Sequence, residues 1–313
     1  MELRQLRYFV TVVEEANFTR AAARLHLAQP GVSAQIRQLE RELGHPLLDR
    51  SGRTVALTEV GAAVLPYARA ALAAVDGLRD TVDEYAGLLR GHVAIGLVSG
   101  AAAHELDVAA VLADFHDAHP GVGIALTEDT SERMLAALRH GELDIAVIGL
   151  TGAALGPGIA HEVLVDVPLV AAVAPDDPLL ASDDPLLVAT GRAGVPLTAL
   201  RDRPLISLPR GTGIRGVLDG ACAAAGFTPR IAFEAAAPEL LGRLAARGLG
   251  AAVVPALTAD EAAQLGLRTV PFTDSALRGR VALAWRTDGP SGPAARELLR
   301  RLRLATADRA SGT

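Results

Sequence analysis

Between Phe18 and Arg37 the chain reads FTRAAARLHLAQPGVSAQIR, and no other stretch restricts the N-terminal fold as much. Thr19 is placed to cap a short helix through Ala22 and Leu25. His26-Leu27-Ala28 forms a three-residue turn with Leu27 as its apolar member, and a second helix opens at Gln29-Pro30, where proline's missing N–H costs nothing. That helix should stop at Gly44 and Pro46. Ala21, Ala22 and Ala23 are small enough for two helices to cross closely. In the second helix Val32, Ile36, Leu39 and Leu43 face inward, while Pro30, Ser33, Ala34, Arg37 and Arg41 form the opposite side. Leu3, Leu6, Val10 and Val13 mark an amphipathic helix ahead of the pair.

Such a free face, short-chained at its start and cationic further on, suits a helix lowered end-first into a DNA major groove. Gln29 and Ser33 would reach base edges and Arg37 a base or phosphate, with Thr19 and Ala34 beside them. An ordinary three-helix packing motif gives the same pattern, so the helices alone leave both readings open. The next residues, LLDRSGRTVALTE, place Arg50-Ser51-Gly52-Arg53 as a tight turn between two short apolar runs. That is a β-wing with Arg50 and Arg53 at its tip, able to grip sugar-phosphate. Net charge is −6 over the whole chain, yet residues 1–58 carry +2. A basic head on an acidic body fits phosphate contact through the head.

The run Phe18–Arg37 followed by LERELGHPLLDRSGRTVALTEVGAAVLPYAR closely resembles the N-terminal domain of LysR-type transcriptional regulators. The matching positions are Ala21-Ala22, Leu25, Gln29-Pro30, Ser33, Ile36, Leu39-Glu40, Leu43-Gly44, Leu47, Arg50, Leu57-Thr58 and Gly61. Leu48 departs from the family, which usually carries phenylalanine there. The resemblance implies DNA contacts at Gln29, Pro30, Ser33, Arg37, Arg50 and Arg53. It also implies homodimers or homotetramers on double-stranded DNA with an interrupted dyad operator. The same resemblance implies RNA polymerase as a further partner and a small-molecule effector that alters DNA bending or promoter contact.

From Thr58 to about Leu89 the spacing of Val64, Ala68, Ala71, Val75, Leu78, Val82, Tyr85 and Leu89 describes a long linker helix with Pro66 inside it. Either it packs wholly on its own chain or its narrow seam pairs with a second copy; the seam's width favours pairing. After Gly91 strands and helices alternate. The expected order is strand His92–Val98, helix Glu105–His116, strand Val122–Leu126, helix Ser131–His140 and strand Asp144–Ile148. A second set follows: Leu205–Leu208, Ile214–Ala225, Arg230–Phe233, Pro238–Arg247 and Ala251–Val254, then a strand Arg280–Ala284 and a helix Gly292–Leu304. Two βαβ sets in series predict parallel sheets in two lobes with a ligand cleft between them.

The expected fold class is therefore an α+β winged helix-turn-helix N-terminal domain, a long linker helix, and a C-terminal α/β two-lobed domain like the periplasmic binding proteins. The expected domains are 1–58, 59–90 and 91–313, with lobe I formed by 91–163 and 268–304 and lobe II by 164–267. Ligands in such sheets sit beyond the strand ends, near helix N-termini that favour anions. That selects Ser99, Gly100 and Ala101, then Thr130, and in the other lobe Arg210 and Gly211, for a small organic anion. The same residues would serve as plain helix caps, and the family position supports Ser99 and Thr130 over Arg210.

Other chemistries find little support. Gly211-Thr212-Gly213 lacks the Gly-Lys-Ser/Thr ending of a phosphate loop, and the chain contains no lysine. Ser99 lacks the glycine spacing of a nucleophile elbow, and His116 and His119 lack further clustered ligands. No catalytic set, metal or cofactor is expected, so an enzyme or a pure solute-binding protein is the weaker alternative. No apolar run approaches the roughly 20 residues that span a bilayer, and the N-terminus does not read as a signal peptide. Cys222 is the single cysteine, which excludes an intrachain disulfide and fits a reducing cytoplasm.

Overall fold

The computed structural model describes residues 1–52, 54–85, 89–98, 107–152, 154–181, 194–273 and 277–310. Three helices open the chain: α1 (Leu3–Glu15), α2 (Phe18–Arg24) and α3 (Gln29–Leu43). Asn17, not Thr19, caps α2; its Oδ1 accepts from Thr19 N at 2.8 Å and Arg20 N at 3.1 Å. An Asn side chain one residue before the helix reaches both amides, so Thr19 falls inside the first turn. Gly44, at φ 76°, ends α3 in the left-handed conformation that glycine adopts without strain. Two-residue strands β1 (Leu48–Asp49) and β2 (Ala56–Leu57) pair antiparallel as the base of the wing.

Phe9, Val12, Ala21, Val32, Ile36, Leu39 and Leu47 have no exposed surface and form the core of this head. Each large apolar side chain so buried is worth about 1.5–3 kcal/mol. Leu48 is buried too, so leucine fills the position at which the family usually carries phenylalanine. The apolar turn residue Leu27 is 44% exposed, while Leu25 packs on the core, and one residue expected inward is not. Leu43 is 38% exposed, because α3 has outrun the core by its last turn.

Helix α4 (Glu59–Tyr85) leaves the wing with Pro66 inside it. Its first half, through Leu65 and Ala68, packs on the head, whereas Leu78 and Val82 are 65% and 62% exposed. Arg69 pairs with Glu142, which ties α4 to the following domain.

That domain contains β3 (Gly91–Leu97), α5 (Val108–Ala118), β4 (Val122–Glu128), α6 (Ser131–Arg139) and β5 (Ile145–Leu150), with β3 parallel to both β4 and β5. Next comes β6, a strand of 15 residues from Ile159 to Val173 that the sequence reading does not contain. The second set is β7 (Leu205–Ser207), α7 (Gly213–Ala224), β8 (Ile231–Glu234), α8 (Pro238–Ala246) and β9 (Ala251–Pro255), with β7 parallel to β8 and β9. Short α9 (Ala259–Gln264) and β10 (Arg268–Pro271) precede β11 (Arg278–Arg286) and α10 (Pro293–Ala310).

The strands join in one nine-stranded sheet, ordered β4-β3-β5-β11-β6-β9-β7-β8 with β10 also on β6. Strand β6 pairs with β11 through Pro168, then with β9 from Leu169 and with β10 from Val170. Along β6 the partner thus changes between Pro168 and Leu169, and β10, which starts at Arg268, pairs with the distal end of the same strand.

Candidate nucleic-acid interface and interlobe cleft

One side of α3 is fixed by Val32, Ile36 and Leu39, all fully buried, and this determines what the other side presents. Gln29, Pro30, Ala34, Arg37 and Arg41 are exposed along it, and Thr19 is exposed on neighbouring α2. Ser33 is the exception: the residue is 7% exposed and lies on the inner flank, contrary to its expected place on the free face. It sits three residues before Ile36, about 60° round the helix, close enough to the buried stripe to be drawn inward. A Ser33→Arg variant is accordingly expected to destabilise the head by about 2 kcal/mol or more, read as a lower melting temperature, since it forces a long charged chain into a packed site.

Glu40 organises the wing, a role the sequence reading did not assign to it. Its Oε1 accepts from Leu47 N at 3.0 Å and Leu48 N at 3.2 Å, and its Oε2 accepts from Arg50 at 2.7 Å. The Arg50 guanidinium also lies over the Phe18 ring, 5.1 Å from its centroid. Arg50, expected at the wing tip, is thus drawn back against α3 and α2. Ser51 N and Oγ both donate to Asp49 Oδ1, at 2.9 and 2.7 Å, and these bonds hold the Asp49 carboxyl below the usual range. Arg53 lies outside the described residues.

Thr58 joins wing to linker. Its N–H donates to Leu47 O at 3.0 Å, its Oγ1 donates to Pro46 O at 2.7 Å, and the same oxygen accepts from Gly61 N at 2.9 Å. Gly61 is correspondingly close to the wing: a Cβ there would stand 2.0 Å from Leu47 O.

In the second domain Thr130 caps α6, its Oγ1 accepting from Arg133 N at 3.4 Å. Glu132 N, in the same first turn, donates to Gly211 O of the other lobe at 3.2 Å. Gly211 has φ 85°, and a Cβ on it would lie 3.3 Å from Thr130 Oγ1 and 3.2 Å from Glu132 Oε2. Thr130 and Gly211, selected from separate lobes, therefore meet. Arg210 is exposed, and Ser99, Gly100 and Ala101 lie outside the described residues. Below this contact Gly149, at the end of β5, faces Gly213, the first residue of α7; a Cβ on Gly213 would come within 2.6 Å of Gly149 backbone atoms. Buried Arg215 of α7 donates through Nε to Asp219 at 3.0 Å and through Nη1 to Leu208 O and Glu234.

A winged helix-turn-helix joined by a long helix to a two-lobed α/β domain defines a ligand-responsive regulator of transcription. The family model described as "Bacterial regulatory helix-turn-helix protein, lysR family" matches residues 3–62, and that described as "LysR substrate binding domain" matches 86–307. The chain belongs to the LysR family of bacterial transcriptional regulators.

It is 36% identical over 312 residues to the HTH-type transcriptional regulator IlvR of Caulobacter vibrioides, covering 98% of each chain. It is 30% identical over 294 residues to the DNA-binding transcriptional dual regulator OxyR of Escherichia coli, covering 93% of this chain and 91% of that one. A full-length OxyR variant of Pseudomonas aeruginosa superposes with a TM-score of 0.67 at 27% identity, over 97% and 95% of the two chains. The matched families and relatives are regulators of transcription, not enzymes.

Proposed function

We propose that this regulator reads an interrupted dyad operator as a homodimer or homotetramer in the cytoplasm and acts on promoter output through RNA polymerase. Residues 1–58 bind DNA, 59–90 connect and dimerise, and 91–313 sense the effector. The observation that carries this reading is α3 itself: Val32, Ile36 and Leu39 are locked inside while Gln29, Pro30, Ala34 and Arg37 stand open in a row. Thr19 joins that face from α2, and Arg53, outside the described residues, is kept as a DNA contact on the sequence alone. Ser33, buried on the flank of α3, and Arg50, bonded to Glu40 and stacked on Phe18, support that face from behind. The exposed Leu78 and Val82 on α4 support pairing with a second copy.

The test is a gel shift with the intergenic duplex beside the chain's own gene against a scrambled duplex of the same composition. Gln29→Ala is expected to lower the preference for operator by about ten- to a hundredfold, as loss of one bidentate base contact does, with the melting temperature unchanged. Equal affinity of the parent chain for both duplexes would refute the reading.

The effector occupies the cleft where Thr130 and Gly211 meet, with Arg210 directly before Gly211 in sequence; Ser99, Gly100 and Ala101, outside the described residues, are kept as contacts on the sequence alone. The first-turn amides of α6 suit a small organic anion. Binding there has to displace Gly211 O from Glu132 N, which couples ligand entry to lobe separation. Calorimetry of the full chain against small carboxylates checks the anion, and silence across the series would remove it.

A thiol-based peroxide response is disfavoured by Cys222. The residue is fully buried, and burial, helped by the nearby Asp219 charge, pushes its thiol up to about 11. Little thiolate then exists near neutral pH to react. Cys222 is expected to resist a disulfide reagent until the protein unfolds; rapid labelling of the native chain would reverse this conclusion.

A further inference from the structure

The second half of α3 and the chain leading to β1 enclose an open groove of about 760 Å³. Arg37, Arg41 and His45 line it, with Ala34, Gly44 and Pro46 between them. Glu40, the acid that lines it, accepts from Leu47 N, Leu48 N and Arg50, so its charge is already answered. Arg41 donates to Gln38 Oε1 at 2.6 Å and to the Arg37 carbonyl at 3.4 Å, both uncharged acceptors. The side chains of Arg37 and His45 have no protein partner among the described residues. An open, cationic and largely unpartnered surface attracts a polyanion.

Its place determines which one. With α3 in the major groove and the wing over the adjoining minor groove, the DNA strand that divides the two grooves must pass between α3 and β1. The floor of that passage is this groove. We propose that it is the track of one sugar-phosphate strand, gripped by Arg41 and His45 in continuation of Arg37. Left-handed Gly44 ends the helix there, and His45, directly after it, lines the groove together with the arginines. Arg41 and His45 set affinity and register while the α3 face reads bases. The proposal rests on the reading that this face of α3 meets DNA.

The experiment measures affinity of the full chain for the intergenic and scrambled duplexes over a salt series. Arg41→Gln and His45→Ala are expected to weaken both duplexes about equally, by roughly three- to tenfold each, leaving their ratio unchanged. The slope of log affinity against log salt should fall by about 0.9 for Arg41→Gln, one counterion-releasing contact, and Arg41→Lys should restore it. On duplexes with single phosphates replaced by uncharged methylphosphonate, the parent chain should lose affinity at one position to which Arg41→Gln is indifferent. An unchanged slope in Arg41→Gln while Arg37→Gln lowers it would overturn the groove alone. Unchanged slopes in both would overturn the docking face itself. Melting temperatures near that of the parent establish that each variant is folded.

Discussion

Replacing Gly61 with alanine is expected to lower the stability of the N-terminal head by about 3 kcal/mol, and with it the melting temperature of that unit by roughly ten degrees or more. The added methyl would lie 2.0 Å from Leu47 O and 2.9 Å from its carbonyl carbon. Neither atom is a flexible side-chain end. Leu47 O is already the acceptor of Thr58 N, and Leu47 N is bound by Glu40, so the strand cannot retreat without losing bonds at both ends. The wing would detach from α4, and DNA affinity should fall for every sequence alike. Gly31→Ala serves as the contrast, since nothing lies within 4 Å of its added carbon and α3 gains helix propensity. Thermal unfolding of the two variants decides; a Gly61→Ala chain that melts with the parent would show that the joint is not as tight as its geometry.

Gly213→Ala is expected to act as strongly on the interlobe contact. Its methyl would meet the Cα and carbonyl carbon of Gly149 at 2.6 Å, backbone against backbone, while Gly216 behind it is equally crowded by Thr151 Cγ2 at 2.5 Å. The first turn of α7 must lift from the end of β5, carrying Gly211 O away from Glu132 N. Amide exchange at Glu132 should then accelerate roughly ten- to a hundredfold, the effect of about 1–3 kcal/mol of overpacking on a local opening. Gly220→Ala, in the same helix with open space around it, should leave that exchange as it was. Parental protection in Gly213→Ala would mean that the lobes are not held by this approach.

Much of the fold was legible because its long elements carry clean periodicity. Val32, Ile36 and Leu39 repeat at helical spacing, and the βαβ runs of the second domain alternate as parallel sheets require. Strand β6 escaped notice for a physical reason. After buried Ile159 its next nine residues are half-buried or exposed, whereas its last five are all buried, so the strand has two textures under one hydrogen-bond ladder. Short α9 and β10 span too few residues for any period to register.

At the site, the exposed residues of α3 were readable, but their limits were not. Ser33 sits at the edge of the buried stripe, where helical spacing alone cannot separate inside from outside. The function of Glu40 depends on backbone amides seven and eight residues onward, which only the folded turn brings near. Likewise, nothing in the sequence brings Gly149 against Gly213, 64 positions apart, before the two lobes are assembled.

Strand β6 gives the regulator a mechanical property of its own. Because one unbroken ribbon serves both lobes, bonded to β11 up to Pro168 and to β9 beyond it, the halves are welded along a shared spine rather than strung on a hinge. A rearrangement started by a guest molecule therefore travels as torsion through that spine as well as across the direct Gly149–Gly213 approach, since its neighbour β11 pairs with β5, whose end bears Gly149. A crosslink that stiffened residues 166–170 is expected to weaken signalling while leaving the guest's own seat untouched.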